Sequence, residues 1–177
     1  QRIAELARTH RIQIATRKAL EAARGSGLTD PSTGLFTPEL FASHLARITE
    51  GARLRRRPLS VGVLRIADTE PVRLARQTGW LDRALPQIGS MVSRLIRTED
   101  TAARLSSDVF ALALPATREA EARIATDRIA AVIGCTAFDA GPDRTPFVAE
   151  FEVGAAEVHA GESPAAVLER ASQNLRR

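Results

Sequence analysis

Two short stretches hold the residues best able to do chemistry. Arg97-Thr-Glu-Asp100 sets a guanidinium and a carboxylate three residues apart, and Ser106-Ser107-Asp108 follows between the apolar runs Thr101 to Leu105 and Val109 to Leu114. At a helix end, residues three apart share a face, so Arg97 and Asp100 can reach one ligand. They can equally complement the helix dipole and close the next turn, needing no ligand. The two serines stand in a tight turn, where positive φ is usual and Gly or Asn adopts it at little cost. A second Arg-x-x-Asp, Arg65-Ile-Ala-Asp68, ends an earlier apolar run. His44 lies on an apolar helix face with no second ligand at helical spacing, which reads as a core or boundary histidine. The single cysteine, Cys135, excludes an internal disulfide and a Cys/His zinc set.

The elements that position these residues follow from periodicity. Residues 1 to about 24 lack Gly and Pro and predict a helix that stops at Gly25-Ser-Gly27, either a weak coiled-coil stalk or a solvated linker. Thr37-Pro38 pairs an N-cap with proline at the first helical position, opening a helix to about Arg53 that buries Leu40, Phe41, Leu45 and Ile48. Leu59 to Ile66 is β-branched and nearly all apolar, the pattern of a central strand buried on both faces. A short helix from Pro71 to Thr78 precedes a longer one running up to Arg97, with Leu81, Leu85, Ile88, Val92 and Leu95 at helical spacing. After the hairpin come a helix from Thr117 to Ile133, a half-exposed strand with Phe147, Ala149, Phe151 and Val153 alternating inward, and a helix capped by Ser163-Pro164 that continues through Leu175. This order predicts an α+β fold, with helices over a mainly antiparallel sheet.

A chain of 177 residues fits one domain plus a short extension. The formal charge is +4, yet all 25 basic residues except Lys18 are arginine and only 4% of residues are aromatic, so nucleic-acid binding is not expected. No apolar run approaches the roughly 20 residues that span a bilayer, which sets the expectation of a cytoplasmic protein without its own membrane segment. A start on Gln1 within a helical pattern sets the further expectation that this is a piece of a longer chain with other domains.

Asp30-Pro-Ser-Thr-Gly-Leu35 resembles the D-x-L-T-G-L opening of GGDEF domains, the diguanylate cyclases that condense two GTP into cyclic di-GMP. Arg104-Leu-Ser-Ser-Asp-Val-Phe110 resembles their R-x-G-G-D-E-F hairpin. The resemblance covers residues 29–176 and runs from Arg65 to Arg128 without a gap. It implies a palm-like nucleotidyl-cyclase fold over residues 29–177, fed by a linker helix over 1–28 from an upstream sensor. It also implies a degenerate active site. In active members a strand-end aspartate binds divalent metal, and the matching residue here is Arg65, a fixed cation that cannot hold one. Ala67 replaces a second aspartate, Glu70 a phosphate-contacting lysine and Arg73 a guanine-reading asparagine. Asp82 and Asp108 match retained family carboxylates. Ser106 and Ser107 replace the hairpin glycines, where a Cβ crowds the nucleotide path, and Val109 replaces the glutamate. An Arg65–Asp108 ion pair in place of the metal is one expectation; two strand-end charges facing solvent is the other.

Many GGDEF domains carry an inhibitory product site, an R-x-x-D five residues before the first hairpin glycine, and Arg97-Thr-Glu-Asp100 falls in that register. Guanidinium donors suit the O6/N7 edge of guanine, and a carboxylate accepts from guanine N–H groups. Arg128 matches a family position that supplies another arginine from a neighbouring copy. The resemblance therefore implies an inactive GGDEF domain that receives cyclic di-GMP through Arg97, Asp100 and Arg128, as a homodimer, with no metal and no cofactor. The alternatives are a dimerisation or protein-interaction module and a residual GTP-binding regulator.

Overall fold

The computed structural model describes residues 27–177; the expected N-terminal helix lies outside them. Nine elements follow in the order α1 (Pro38–Arg55), β1 (Leu59–Ile66), α2 (Glu70–Gln77), α3 (Trp80–Leu95), β2 (Thr101–Arg104), β3 (Val109–Pro115), α4 (Glu119–Gly134), β4 (Phe151–Glu157) and α5 (Pro164–Gln173). The strands form one antiparallel sheet in the order β2-β3-β1-β4, with helices on both faces, as the α+β expectation requires.

The alternation along β1 explains its continuous apolar run. Leu59, Val61 and Val63 face a cluster with Phe41 and Leu45 of α1 and Val167 and Ala171 of α5. Leu64 and Ile66 face the other way, toward Val72 of α2, Leu85 and Ile88 of α3 and Ile129 of α4. Gly62 is required where α4 crosses, because a Cβ there would stand 2.3 Å from Thr126 Oγ1. The helices opened by Thr37-Pro38 and Ser163-Pro164 are capped as expected: Thr37 Oγ1 accepts from the Leu40 amide at 3.3 Å, and Ser163 Oγ from the Ala166 amide at 3.2 Å. The β2 edge is covered by Phe36, whose amide donates to Ala102 O at 3.1 Å and whose carbonyl accepts from the Arg104 amide at 3.0 Å.

Four boundaries differ from the sequence reading. The α3 helix stops at Leu95 with an extended Ile96, so Arg97 to Asp100 form a separate turn, closed by the Asp100 amide donating to Arg97 O at 3.1 Å. The α4 helix begins at Glu119, because Thr117 turns back to bond Pro115 O at 2.8 Å. The last strand begins at Phe151 and is largely buried, whereas Phe147 pairs with Phe138 through mutual backbone bonds of 2.7 and 2.9 Å. The last helix ends at Gln173, since Arg176 pairs with Val153 and covers the outer edge of β4.

Candidate functional site

Residues matched to the family's active-site positions lie near the C-terminal end of β1. Arg65 lies between Val109 of β3 and Glu152 of β4 in register, so all three side chains share one sheet face. Its Nε donates to Glu152 Oε2 at 2.7 Å, and a second guanidinium nitrogen closes the same ion pair. The expected Arg65–Asp108 pair is therefore corrected: Asp108 precedes Val109, so alternation directs it away from Arg65. Asp108 instead accepts from Ser106 Oγ at 3.1 Å, and its carbonyl accepts from the Ile66 amide at 2.8 Å.

The divalent metal implied for active members needs a carboxylate at the end of β1. Arg65 offers a cation already engaged by Glu152, and buried Ala67 offers no donor, so these residues do not fit a metal. Among the described residues, no three His, Cys, Asp or Glu side chains gather as a metal site. Arg73 is drawn to Asp68, donating to its Oδ2 and its carbonyl at 3.2 Å each. Glu70 and Asp82 stand exposed in the first turns of α2 and α3.

The serine turn is unstrained. Neither Ser106 nor Ser107 adopts positive φ, and the loop closes through the Leu105 and Ser106 amides, both donating to Val109 O at 2.8 and 3.3 Å. Arg104 supports it from beneath, donating to Ser106 O at 3.1 Å and Ser107 O at 3.3 Å, and it also reaches Asp30 Oδ2 at 3.4 Å. Asp30 in turn accepts from the Thr33 amide at 2.9 Å and hydroxyl at 2.6 Å. Burial alone would raise its carboxyl, but the two Thr33 bonds together with the Arg104 charge and hydrogen bond outweigh it and hold the carboxyl low. Sequence reasoning missed this lock and also missed Glu152, whose pairing with Arg65 becomes visible only once the register of β4 is known.

Arg97 and Asp100 do come together. Asp100 Oδ2 accepts from the Arg97 amide at 2.9 Å and lies 3.4 Å from Arg97 Nε, while another guanidinium nitrogen of Arg97 donates to Thr117 Oγ1 at 2.8 Å. Their exposures differ sharply, with 52% of the Arg97 side chain in solvent against 4% for Asp100. Asp100 Oδ1 is buried with no hydrogen-bond partner among the described residues, and burial pushes its carboxyl upward despite the Arg97 bonds. Arg128 donates to Leu95 O at 3.3 Å, which brings it to the same end of α3. His44 is half-buried, bridging Arg47 and Thr101 with 3.0 Å contacts and meeting Phe36 edge-on, a boundary position. No described helix is long and apolar enough to cross a membrane.

Comparison with known proteins completes the picture. No curated protein matches the chain. Among solved structures, the GGDEF domain of DgcB from Caulobacter crescentus, crystallised with c-di-GMP, is 22% identical, with a TM-score of 0.72 over 83% of this chain and 86% of that one. The diguanylate cyclase SiaD from Pseudomonas aeruginosa, in complex with its activator SiaC, is 22% identical, with a TM-score of 0.75 over 98% of this chain and 66% of that one. The FimX GGDEF domain from Pseudomonas aeruginosa is 19% identical, with a TM-score of 0.72 over 84% and 91%. These likenesses establish the fold, and the family model described as "Diguanylate cyclase, GGDEF domain" matches residues 28–177, so the chain belongs to the GGDEF family.

Proposed function

We propose that this GGDEF domain is catalytically inactive and serves as a receptor for cyclic di-GMP at Arg97, Asp100 and Arg128. The observation that carries the receptor reading is an exposed guanidinium beside a buried carboxylate oxygen that lacks a donor. A guanine would meet the Arg97 fork with its O6/N7 edge, and its N–H groups would supply the hydrogen bond that Asp100 Oδ1 lacks once the turn opens. Inactivity is supported by the Arg65–Glu152 pair, which puts a neutralised cation where metal-assisted phosphoryl transfer requires an anion. The structural neighbour DgcB binds c-di-GMP. The same ligand is the natural candidate here.

Calorimetric titration with cyclic di-GMP tests the receptor role. Wild type is expected to bind, and Arg97→Ala to lose about 1–3 kcal/mol of affinity. Equal binding by both, or none by wild type, refutes the reading. Incubation with GTP and magnesium is expected to yield no cyclic di-GMP, and product formation refutes inactivity. An interaction module is the second reading, favoured by exposed Ile124 and Val132, four residues either side of Arg128 on α4. Under that reading wild type ignores cyclic di-GMP and Ile124→Glu abolishes self-association.

A further inference from the structure

At the opposite end of β1 from Arg65, a cleft of about 300 Å³ opens between the end of α1, the start of α4 and the loop after β4. Four arginines, Arg53, Arg56, Arg57 and Arg118, line it together with His159 and one carboxylate, Glu157. The length of β1 separates this cleft from the degenerate site by roughly 23 Å. Arg53 is engaged by Glu50, with contacts of 2.6 and 3.0 Å, and Arg118 lies 3.9 Å from Glu157. Arg56 and Arg57 have no acidic partner among the described residues. Like charges gathered around a concavity repel one another, and a bound anion relieves that repulsion.

The backbone here is built around an arginine where glycine is usual. Arg56 is the residue that ends α1, with φ 51 and ψ 44, and its amide donates back toward Ala52 O and Arg53 O. This left-handed conformation costs a non-glycine residue roughly 1–2 kcal/mol, so Arg56 sits at a position where its side chain works against local stability. The reversal places Arg56 and the following Arg57 together on the cleft wall.

We propose that this cleft is an anion site for a soluble oligophosphate, held by Arg56, Arg57 and Arg118. Guanidinium forks bind phosphate oxygens in pairs, and the volume is at the small end of ligand sites, enough for a short phosphate chain. Glu157 is the opposing charge. Its Oε2 accepts from the Glu119 amide at 3.3 Å and its Oε1 faces Arg118, so it limits the affinity for an anion.

Inorganic tripolyphosphate is the probe, because it lacks the guanine that the Arg97 site would read. Wild type is expected to bind one equivalent by calorimetry, with an affinity that falls as salt rises. Arg57→Ala is expected to weaken binding about tenfold and Arg56→Gly,Arg57→Ala about a hundredfold. Arg56→Gly relieves the left-handed strain and raises the melting temperature, so lost binding in the double variant is not lost folding. Glu157→Gln is expected to tighten binding severalfold. Arg97→Ala is expected to leave tripolyphosphate binding unchanged while weakening cyclic di-GMP, which separates the fate of this site from that of the receptor reading. No binding by wild type, wild-type affinity in the double variant, loss of binding in Arg97→Ala, or retention on phosphatidylglycerol vesicles without binding of tripolyphosphate would each overturn the proposal.

Discussion

Glu162→Gln is expected to destabilise the protein by about 1–2 kcal/mol at neutral pH, and that deficit is expected to shrink on acidification. Glu162 receives Arg170 Nε at 2.7 Å and a second guanidinium nitrogen at 2.8 Å, and the His159 amide at 2.9 Å. The Arg170 hydrogen bonds, opposed by burial and helped by the His159 amide and the Arg170 charge, pull its carboxyl from 4.5 to about 2. At about 1.36 kcal/mol per pH unit, this gap amounts to about 3.4 kcal/mol as an upper bound. Solvent reaches 12% of the Glu162 side chain and 32% of Arg170, and screening at that rim roughly halves the figure.

The sign follows from a carboxyl held lower in the folded state than in the unfolded one. Its stabilisation is complete above 4.5 and is lost as pH falls from 4.5 to about 2. By pH 3 less than about half of it remains. Urea unfolding followed by the fluorescence of Trp80, the only tryptophan, measures the difference at pH 7 and pH 3. Equal stability of wild type and Glu162→Gln at pH 7 refutes the reasoning, as does a deficit that is undiminished at pH 3. The pair also ties the His159–Gly161 loop to α5, so the variant loosens one wall of the arginine cleft.

Gly89→Ala is expected to lower the melting temperature by about 5–10 °C, since a Cβ would stand 2.3 Å from Thr33 O and 2.8 Å from Thr33 Cα, backbone that must shift at about 2–3 kcal/mol; calorimetry showing a change under about 1 °C refutes it. His44→Gln is expected to flatten the decline of stability on the acid side of pH 6.5. Burial first, then the Arg47 charge, lowers the imidazole, so the neutral ring is favoured in the fold and stability is lost as pH falls below 6.5. Wild type and variant profiles of equal slope between pH 7 and 5 would count against this.

Elements whose signal is local were readable from sequence. The β1 run is nearly all apolar because helices cover both faces, and Thr37-Pro38 and Ser163-Pro164 each place an oxygen acceptor before a pre-shaped first turn. The alternation at Phe147 and Ala149 was equally real, yet both residues are buried without pairing to β1, because alternation records burial and not the strand partner. Likewise, nothing near Arg65 in sequence points to Glu152, 87 residues away, and nothing near Arg104 points to Asp30, 74 residues away. The arginine cleft is drawn from three separated segments, each an ordinary solvated charge run when read alone.

Charge is arranged differently at the two ends of the sheet. At the hairpin end, three arginines are matched: Arg65 to Glu152, Arg73 to Asp68 and Arg104 to Asp30. Such pairs present little net field to an approaching triphosphate, which at close range would also meet the exposed Glu70. Toward the other end, Arg56, Arg57 and Arg128 have no acidic partner among the described residues, and Arg97 keeps 52% of its side chain in solvent. Unmatched guanidinium groups attract phosphate oxygens directly, without first breaking an ion pair. An anionic ligand arriving at this domain is therefore favoured at the end of the sheet away from the hairpin, where Arg97 bonds Thr117 and the next residue, Arg118, lines the arginine cleft.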